Sequence, residues 1–163
     1  MAQVKAIPDG FHTITPHLTV SNADKAMEFY TKALGGEVLH ISRMADGKVM
    51  HASVRVGDSI LMLNDACPEF GANAPEKPVG FALHVYVDNV DKVFANALAA
   101  GATQTMPLMD QFWGDRYGQV VDPFGFRWSL ATHIKDMSPE ETEAAGKKAM
   151  DEMMAQMGRK KTA

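Results

Sequence analysis

Two histidines carry the clearest chemical signal in the sequence. His17 opens the segment His17-Leu18-Thr19-Val20-Ser21-Asn22-Ala23-Asp24-Lys25, and His84 opens His84-Val85-Tyr86-Val87-Asp88-Asn89-Val90-Asp91-Lys92, with five of nine positions identical at an offset of 67. An imidazole can ligate a cation, move a proton near neutral pH or orient a ligand by hydrogen bonding. If both segments begin as strands, alternation of side chains puts His17 with Thr19, and His84 with Tyr86, on equivalent faces. His51 is expected to point the same way. Three imidazoles with open positions suit a divalent cation, although no carboxylate is placed beside them. The same residues equally suit a metal-free cavity around an organic molecule, and a histidine could serve there as a general base. Cys67, in a proline-rich stretch with no base placed beside it, reads as a free structural thiol.

The remaining face residues support a cavity. Thr19, Ser53, Arg55, Asn64, Tyr86, Arg127 and Ser129 alternate with Leu18, Val20, Val54, Leu61, Leu63, Leu83, Val85, Val87, Trp128 and Leu130. The second set reads as a core covered by helices, the first as a polar wall. Phe112-Trp113-Gly114-Asp115-Arg116 adds aromatic and cationic side chains on a glycine-flexed rim. Trp113 and Arg116 are candidate contacts to a ligand with an aromatic or anionic portion. Ordinary packing of Trp113, and an ion pair of Arg116 with Asp115 or another acid, are the competing readings.

The elements that position these residues follow from the repeat. Each copy runs into a helical stretch, Lys25 to Leu34 before Gly35-Gly36 and Lys92 to Ala100 before Gly101, and glycine is the usual stop. Asp46-Gly47 and Gly57-Asp58 are hairpin signals separating strands at 38–43, 50–56 and 59–63. The unit is therefore βαβββ, in an α+β fold of two tandem modules at about 12–64 and 79–134, joined by a linker at 65–78. Residues 1–137 form one domain and 138–163 a C-terminal helix with a basic tail. Ser138-Pro139-Glu140-Glu141 has the chemistry of a helix start, Gly158 is expected to end that helix, and Ala145, Ala149, Met150, Met153, Met154 and Met157 give it an apolar stripe that must pack on something.

Composition sets outer limits. The 163 residues are enough for one domain with a real core. A net charge of −4 argues against nucleic-acid binding, and only Arg159-Lys160-Lys161 clusters positive charge. No apolar run reaches the roughly 20 residues of a membrane span. One cysteine and no secretory signal point to the cytoplasm.

The paired βαβββ units, the stretch AMEFYTKALGG after the first strand and the closing DPFGFRWSL resemble the vicinal oxygen chelate superfamily, which includes glyoxalase I, extradiol dioxygenases and bleomycin-resistance proteins. GDRYGQVVDPFGFRWSLATH and DGKVMHASVRVGDSILML look most like its PhnB-like branch. The resemblance implies a divalent cation held by one residue from the first and one from the last strand of each module. Those positions fall on Thr15, Met62, Ala82 and Ser129, none an imidazole or carboxylate, so the usual metal site and any cofactor are not expected. Open first-strand edges and the apolar C-terminal helix point to a homodimer. As in metal-free bleomycin-resistance proteins, the chain is expected to bind or sequester a small organic molecule, through the face residues His17, Thr19, Arg55, His84, Tyr86 and Ser129 with Trp113 and Arg116 of the rim. The alternative is a metal-dependent lyase, isomerase or dioxygenase, distinct from standard glyoxalase I, with a cation on His17, His51 and His84.

Overall fold

The computed structural model describes residues 5–160. The chain forms β1 (His17–Val20), α1 (Ala23–Leu34), β2 (Glu37–Arg43), β3 (Val49–Val56) and β4 (Ser59–Asp65), then β5 (Ala82–Tyr86), α2 (Val90–Ala99), β6 (Thr103–Asp110), β7 (Asp115–Val121) and β8 (Arg127–His133), and last α3 (Pro139–Lys160). The strands make two sheets of identical layout, β1-β4-β3-β2 and β5-β8-β7-β6, so the expected pair of βαβββ modules is present. In each, the first strand pairs parallel with the last, and the repeat offset is kept: His17 lies opposite Met62, and His84 opposite Ser129.

Both helices start two residues earlier than the glycine-bounded stretches suggest. The side chains of Asn22 and Asn89 accept from the backbone N–H of Lys25 and Lys92, satisfying a donor that the first turn leaves free. α1 stops at Gly35, whose φ of 68° is left-handed. Each helix lies on one side of its sheet and buries the expected set, including Leu18, Val20, Val54, Leu61, Leu63, Trp128 and Leu130. The end of each final strand also pins the start of its helix. Asp65 accepts from the N–H of Ala23 and Val49, and its repeat counterpart Thr132 accepts from the N–H of Val90 while donating to the carbonyl of Val87.

Among the described residues the modules pack mainly through α1 against α2. The sheet faces opposite the helices are left open. Between modules the chain turns through a 3-10 segment at Pro68–Phe70 and a bridge from Cys67 to Ala72.

At α3 the expected capping box forms: Ser138 Oγ accepts from Glu141 N–H at 3.2 Å, and Ser138 N–H donates to the Glu141 carboxylate at 2.8 Å. The helix does not end at Gly158 but runs to Lys160. A glycine inside a helix costs about 1 kcal/mol and terminates it only when it adopts a left-handed cap. Lys161 of the basic cluster lies outside the described residues. The apolar stripe is only partly covered, because the helix touches the domain near Gly146, where an added Cβ would come within 2.9 Å of the Phe112 ring, while Met150, Met153 and Met154 stay exposed.

Candidate functional site

The open face of the second sheet gathers most of the chemistry. Register places Ala82 opposite Arg127 and His84 opposite Ser129 across β5 and β8, and Gln119 opposite Ser129 across β7 and β8. Alternation therefore aligns His84, Tyr86, Tyr117, Gln119, Arg127 and Ser129 on the side away from α2, while Trp128 and Leu130 are buried on the other. The His84 ring lies 4.6 Å from that of Tyr86 and 5.8 Å from that of Tyr117. Trp113 meets Tyr117 edge-on at 5.5 Å. The turn that delivers Trp113 depends on Gly114, whose φ is +97° and where an added Cβ would lie 2.1 Å from the carbonyl oxygen of Lys135. That turn is fixed in place because Gly114 O accepts from the N–H of both Ile134 and Lys135.

Two hydrogen-bond systems hold this face. Asp115, only 3% exposed, accepts from Trp113 Nε1 at 3.0 Å and from Tyr86 Oη at 3.0 Å, and faces His133 Nδ1 at 2.8 Å. The other ring nitrogen of His133 faces Asp136 at 3.0 Å, so the imidazolium satisfies both carboxylates at once. Burial alone would raise the Asp115 carboxyl, but its His133, Tyr86 and Trp113 donors outweigh burial and hold it below the ordinary carboxylate value. Hydrogen bonds to Asp115 and Asp136 raise His133, and the bond to Asp115 keeps the Tyr86 proton on and raises its pKa. Beside this system, Gln119 Nε2 donates to Tyr117 Oη at 2.5 Å and to Ser129 Oγ at 3.2 Å, and the two hydroxyls lie 2.9 Å apart. Asp115 as organiser, with His133, Tyr117 and Gln119, is absent from the residues singled out by sequence. Continuing the alternation of Ser129 and Arg127 across β7 is the signal that finds Tyr117 and Gln119.

The first sheet presents a different face. His17 and His51 stand with ring centroids 5.7 Å apart, and His40, not anticipated from sequence, lies 6.5 Å from His51. An irregularity in the β2–β3 register between Val38 and His40 shifts the alternation that sequence reading assumes. His51 is lowered by burial and by the neighbouring His17 and His40. Thr19 Oγ1 donates to Asn64 at 3.1 Å, and Arg55 is paired with Glu37.

The structure brings His17 to His51 but leaves His84 on the other sheet, against Tyr86 and Tyr117. Among the described residues no three His, Cys, Asp or Glu side chains converge as a metal site. Nor do the ancestral positions fit a cation of the zinc or nickel type. Thr15 precedes β1 and donates to His12 O, Met62 and Ala82 offer no imidazole or carboxylate, and the Ser129 hydroxyl lies within the Tyr117–Gln119 network.

Arg116 is placed away from the open face. It lies opposite Thr132 on the helix side of β7 and forms ion pairs with Asp91 of α2 and Asp110 of β6. Arg116 therefore sits on the face opposite Tyr117, and the acids it pairs with are Asp91 and Asp110 rather than Asp115. A cleft of about 750 Å³ lies between the free edge of β5 and the first module, lined by His12, Ile14 and Pro16 before β1, by the 56–61 turn and by residues 83–88, with His84 and Tyr86 among them.

A model of the Glyoxalase/Bleomycin resistance protein/Dioxygenase superfamily matches residues 10–130. The chain belongs to this superfamily. Its members bind small molecules and are often dimers. The chain is 39% identical over 137 residues to the uncharacterized protein Rv0887c of Mycobacterium tuberculosis, covering 81% of each. Among solved structures it is similar to TioX from Micromonospora sp. ML1, at 27% identity and a TM-score of 0.60, covering 76% of this chain and 99% of TioX. It is also similar to a Bacillus cereus PhnB protein titled a putative 3-demethylubiquinone-9 3-methyltransferase, at 26% identity and a TM-score of 0.61, covering 74% and 99%. The superfamily name covers resistance proteins and dioxygenases alike, so membership fixes the fold and the site residues decide the activity.

Proposed function

We propose that this protein binds a small organic molecule on the open face of its second sheet, orienting it by aromatic contact and neutral hydrogen bonds rather than by a metal at the ancestral positions. The observation that carries this is the pinned but uncovered aromatic set: Tyr86 is 61% exposed, yet its hydroxyl is fixed on buried Asp115, which also fixes Trp113. An exposed aromatic side chain held in one orientation has already lost the rotamer freedom that binding would otherwise remove.

In this reading a second copy completes the cavity, its first sheet covering the second sheet of its partner. Met109 on β6, opposite Tyr117, and Phe112 beside Trp113 are exposed in the single chain, as expected of a face that needs a cover. The protein then acts in the cytoplasm as a binder or sequestering protein. Light scattering of the full chain at micromolar concentration should give the mass of a dimer. A fragment screen read by nitrogen-15 NMR should perturb the indole N–H of Trp113, and Tyr86→Ala should weaken the hits about tenfold, the loss of one good aromatic contact. A screen in which no compound moves that resonance would remove the reading.

The adjacency of His17 and His51 favours one second reading, a metal-dependent lyase, isomerase or dioxygenase with a cation on the first sheet. Metal analysis of protein purified without an affinity tag separates the two. One retained cation per chain, lost in the His17→Ala, His51→Ala double variant, would support the enzyme.

A further inference from the structure

The arginines of the two sheets are not alike. Arg43 is paired with Asp24, Arg55 with Glu37, and Arg116 with Asp91 and Asp110. Arg127, at the start of β8, is half-buried, and its Nε lies out of solvent with no hydrogen-bond partner among the described residues. Leaving a buried donor unmade costs about 1 to 3 kcal/mol, so this Nε–H on an arginine with no acid beside it calls for an explanation.

The repeat shows that the fold does not require a charge there. The residue of the first module at the same place, 67 earlier, is Ile60, buried at 5%. An apolar side chain thus suffices for the start of the last strand, and the arginine answers another need. Its cross-strand neighbours are Ala82 on β5 and Val121 on β7, both short and uncharged. Two residues further along β8 stands Ser129, bonded to Gln119 and Tyr117. No carboxylate occupies the register positions around Arg127, while Asp115, the buried acid of this face, is already committed to His133, Tyr86 and Trp113.

We propose that Arg127 is the anion anchor of the second-sheet face, taking the carboxylate or another oxyanion group of an aromatic ligand whose ring lies against His84 and Tyr86. This inference rests on the ligand-binding reading above and adds the charge class of the ligand. A guanidinium is suited to the task because its planar fork donates two parallel hydrogen bonds to an oxyanion. The neutral Gln119, Tyr117 and Ser129 groups can add polar contacts without competing for the charge, and the cross-strand neighbour Ala82 is short and exposed.

The test uses the full chain and two isosteric probes, 2-naphthoate and the uncharged 2-naphthamide, followed by nitrogen-15 NMR through the side-chain N–H signals of Arg127 and Trp113. The anion should shift both signals and bind about tenfold more tightly than the amide, the worth of one charge-assisted contact. Arg127→Ile, which installs the residue used by the first module, should bring naphthoate down to the affinity of the amide and leave the amide unchanged. Equal affinities of the two probes for the unaltered protein would overturn the anion anchor while leaving the binding face standing. So would an Arg127→Ile protein that still prefers the anion, or one that loses both probes alike. If neither probe shifts Trp113, the binding-face reading fails and the anchor with it.

Discussion

The Tyr30 hydroxyl of α1 donates to the Asp122 carboxylate at 2.9 Å, a buried bond that ties the first module to the second. Asp122 also accepts from Trp128 Nε1 and from the N–H groups of Phe124 and Phe126. What sequence shows as a tight Asp-Pro-Phe-Gly turn is therefore also the polar centre of the contact between modules. Tyr30 packs on Trp128 at 5.3 Å, so the bond is enclosed by rings. Tyr30→Phe keeps those rings and removes one of four donors, and should lower stability by about 1 to 2 kcal/mol in urea unfolding. Asp122→Ala strands every donor and should lower it by more than twice that amount.

The Asp115–His133 pair predicts a pH dependence with a definite sign. His133 is raised in the folded state, so the stability it supplies is fully present below its unfolded value of about 6.5 and is lost as pH rises through the folded value. Asp115 is held low, so its share is present above about 3.9 and is lost only as pH falls through its folded value. The advantage of the unaltered protein over His133→Gln in thermal midpoint should accordingly be greatest at pH 5 to 6 and shrink toward pH 9. An advantage that grows with pH would contradict the pairing.

Asp65 and Thr132 perform one task with different chemistry. Thr132→Val removes both the acceptor for Val90 N–H and the donor to Val87 O, and should cost about 1 to 2 kcal/mol. Asp65→Ala leaves the N–H groups of Ala23 and Val49 unpaired and should cost at least as much. Equilibrium unfolding of each variant checks the pair.

Gly114→Ala should harm both stability and the candidate site. The left-handed φ resists a side chain, and the new methyl collides with backbone at Lys135 rather than with a movable side chain. A loss of about 2 kcal/mol or more is expected, with a red-shifted Trp113 emission as the indole leaves Asp115.

The repeat, the two-faced strands and the start of α3 are legible because they rest on local rules: identity at a fixed offset, alternation, and capping by Ser138. The caps Asn22 and Asn89, by contrast, set α1 and α2 two residues earlier than the glycine-bounded stretches suggest. His40 is not legible, because a bulge breaks the alternation that would place it. Arg116 is open to two readings in the sequence, ligand contact or an ion pair with a nearby acid, and its pairs with Asp91 and Asp110 become visible only when α2 and β6 are packed beside β7. The role of Asp115 depends on donors from β5, the turn and the end of β8, which converge only once the sheet is assembled. The orphaned Arg127 Nε is likewise visible only when its neighbours are known.

The edges of the two sheets are finished differently. On the outside, β2 and β6 are interrupted by register shifts, and β6 carries Pro107, which cannot donate to a further strand. On the inside, β1 and β5 pair with their neighbours in unbroken register, and β5 borders the cleft. The outward edges, with Leu39, Ile41 and Met109 exposed, are thus poor templates for uncontrolled stacking of one molecule on the next, whereas the inward edges stay regular. Colloidal stability should depend on that contrast. Pro107→Val, which restores a donor to β6, should leave the fold intact and bring on turbidity at a lower protein concentration when the protein is warmed.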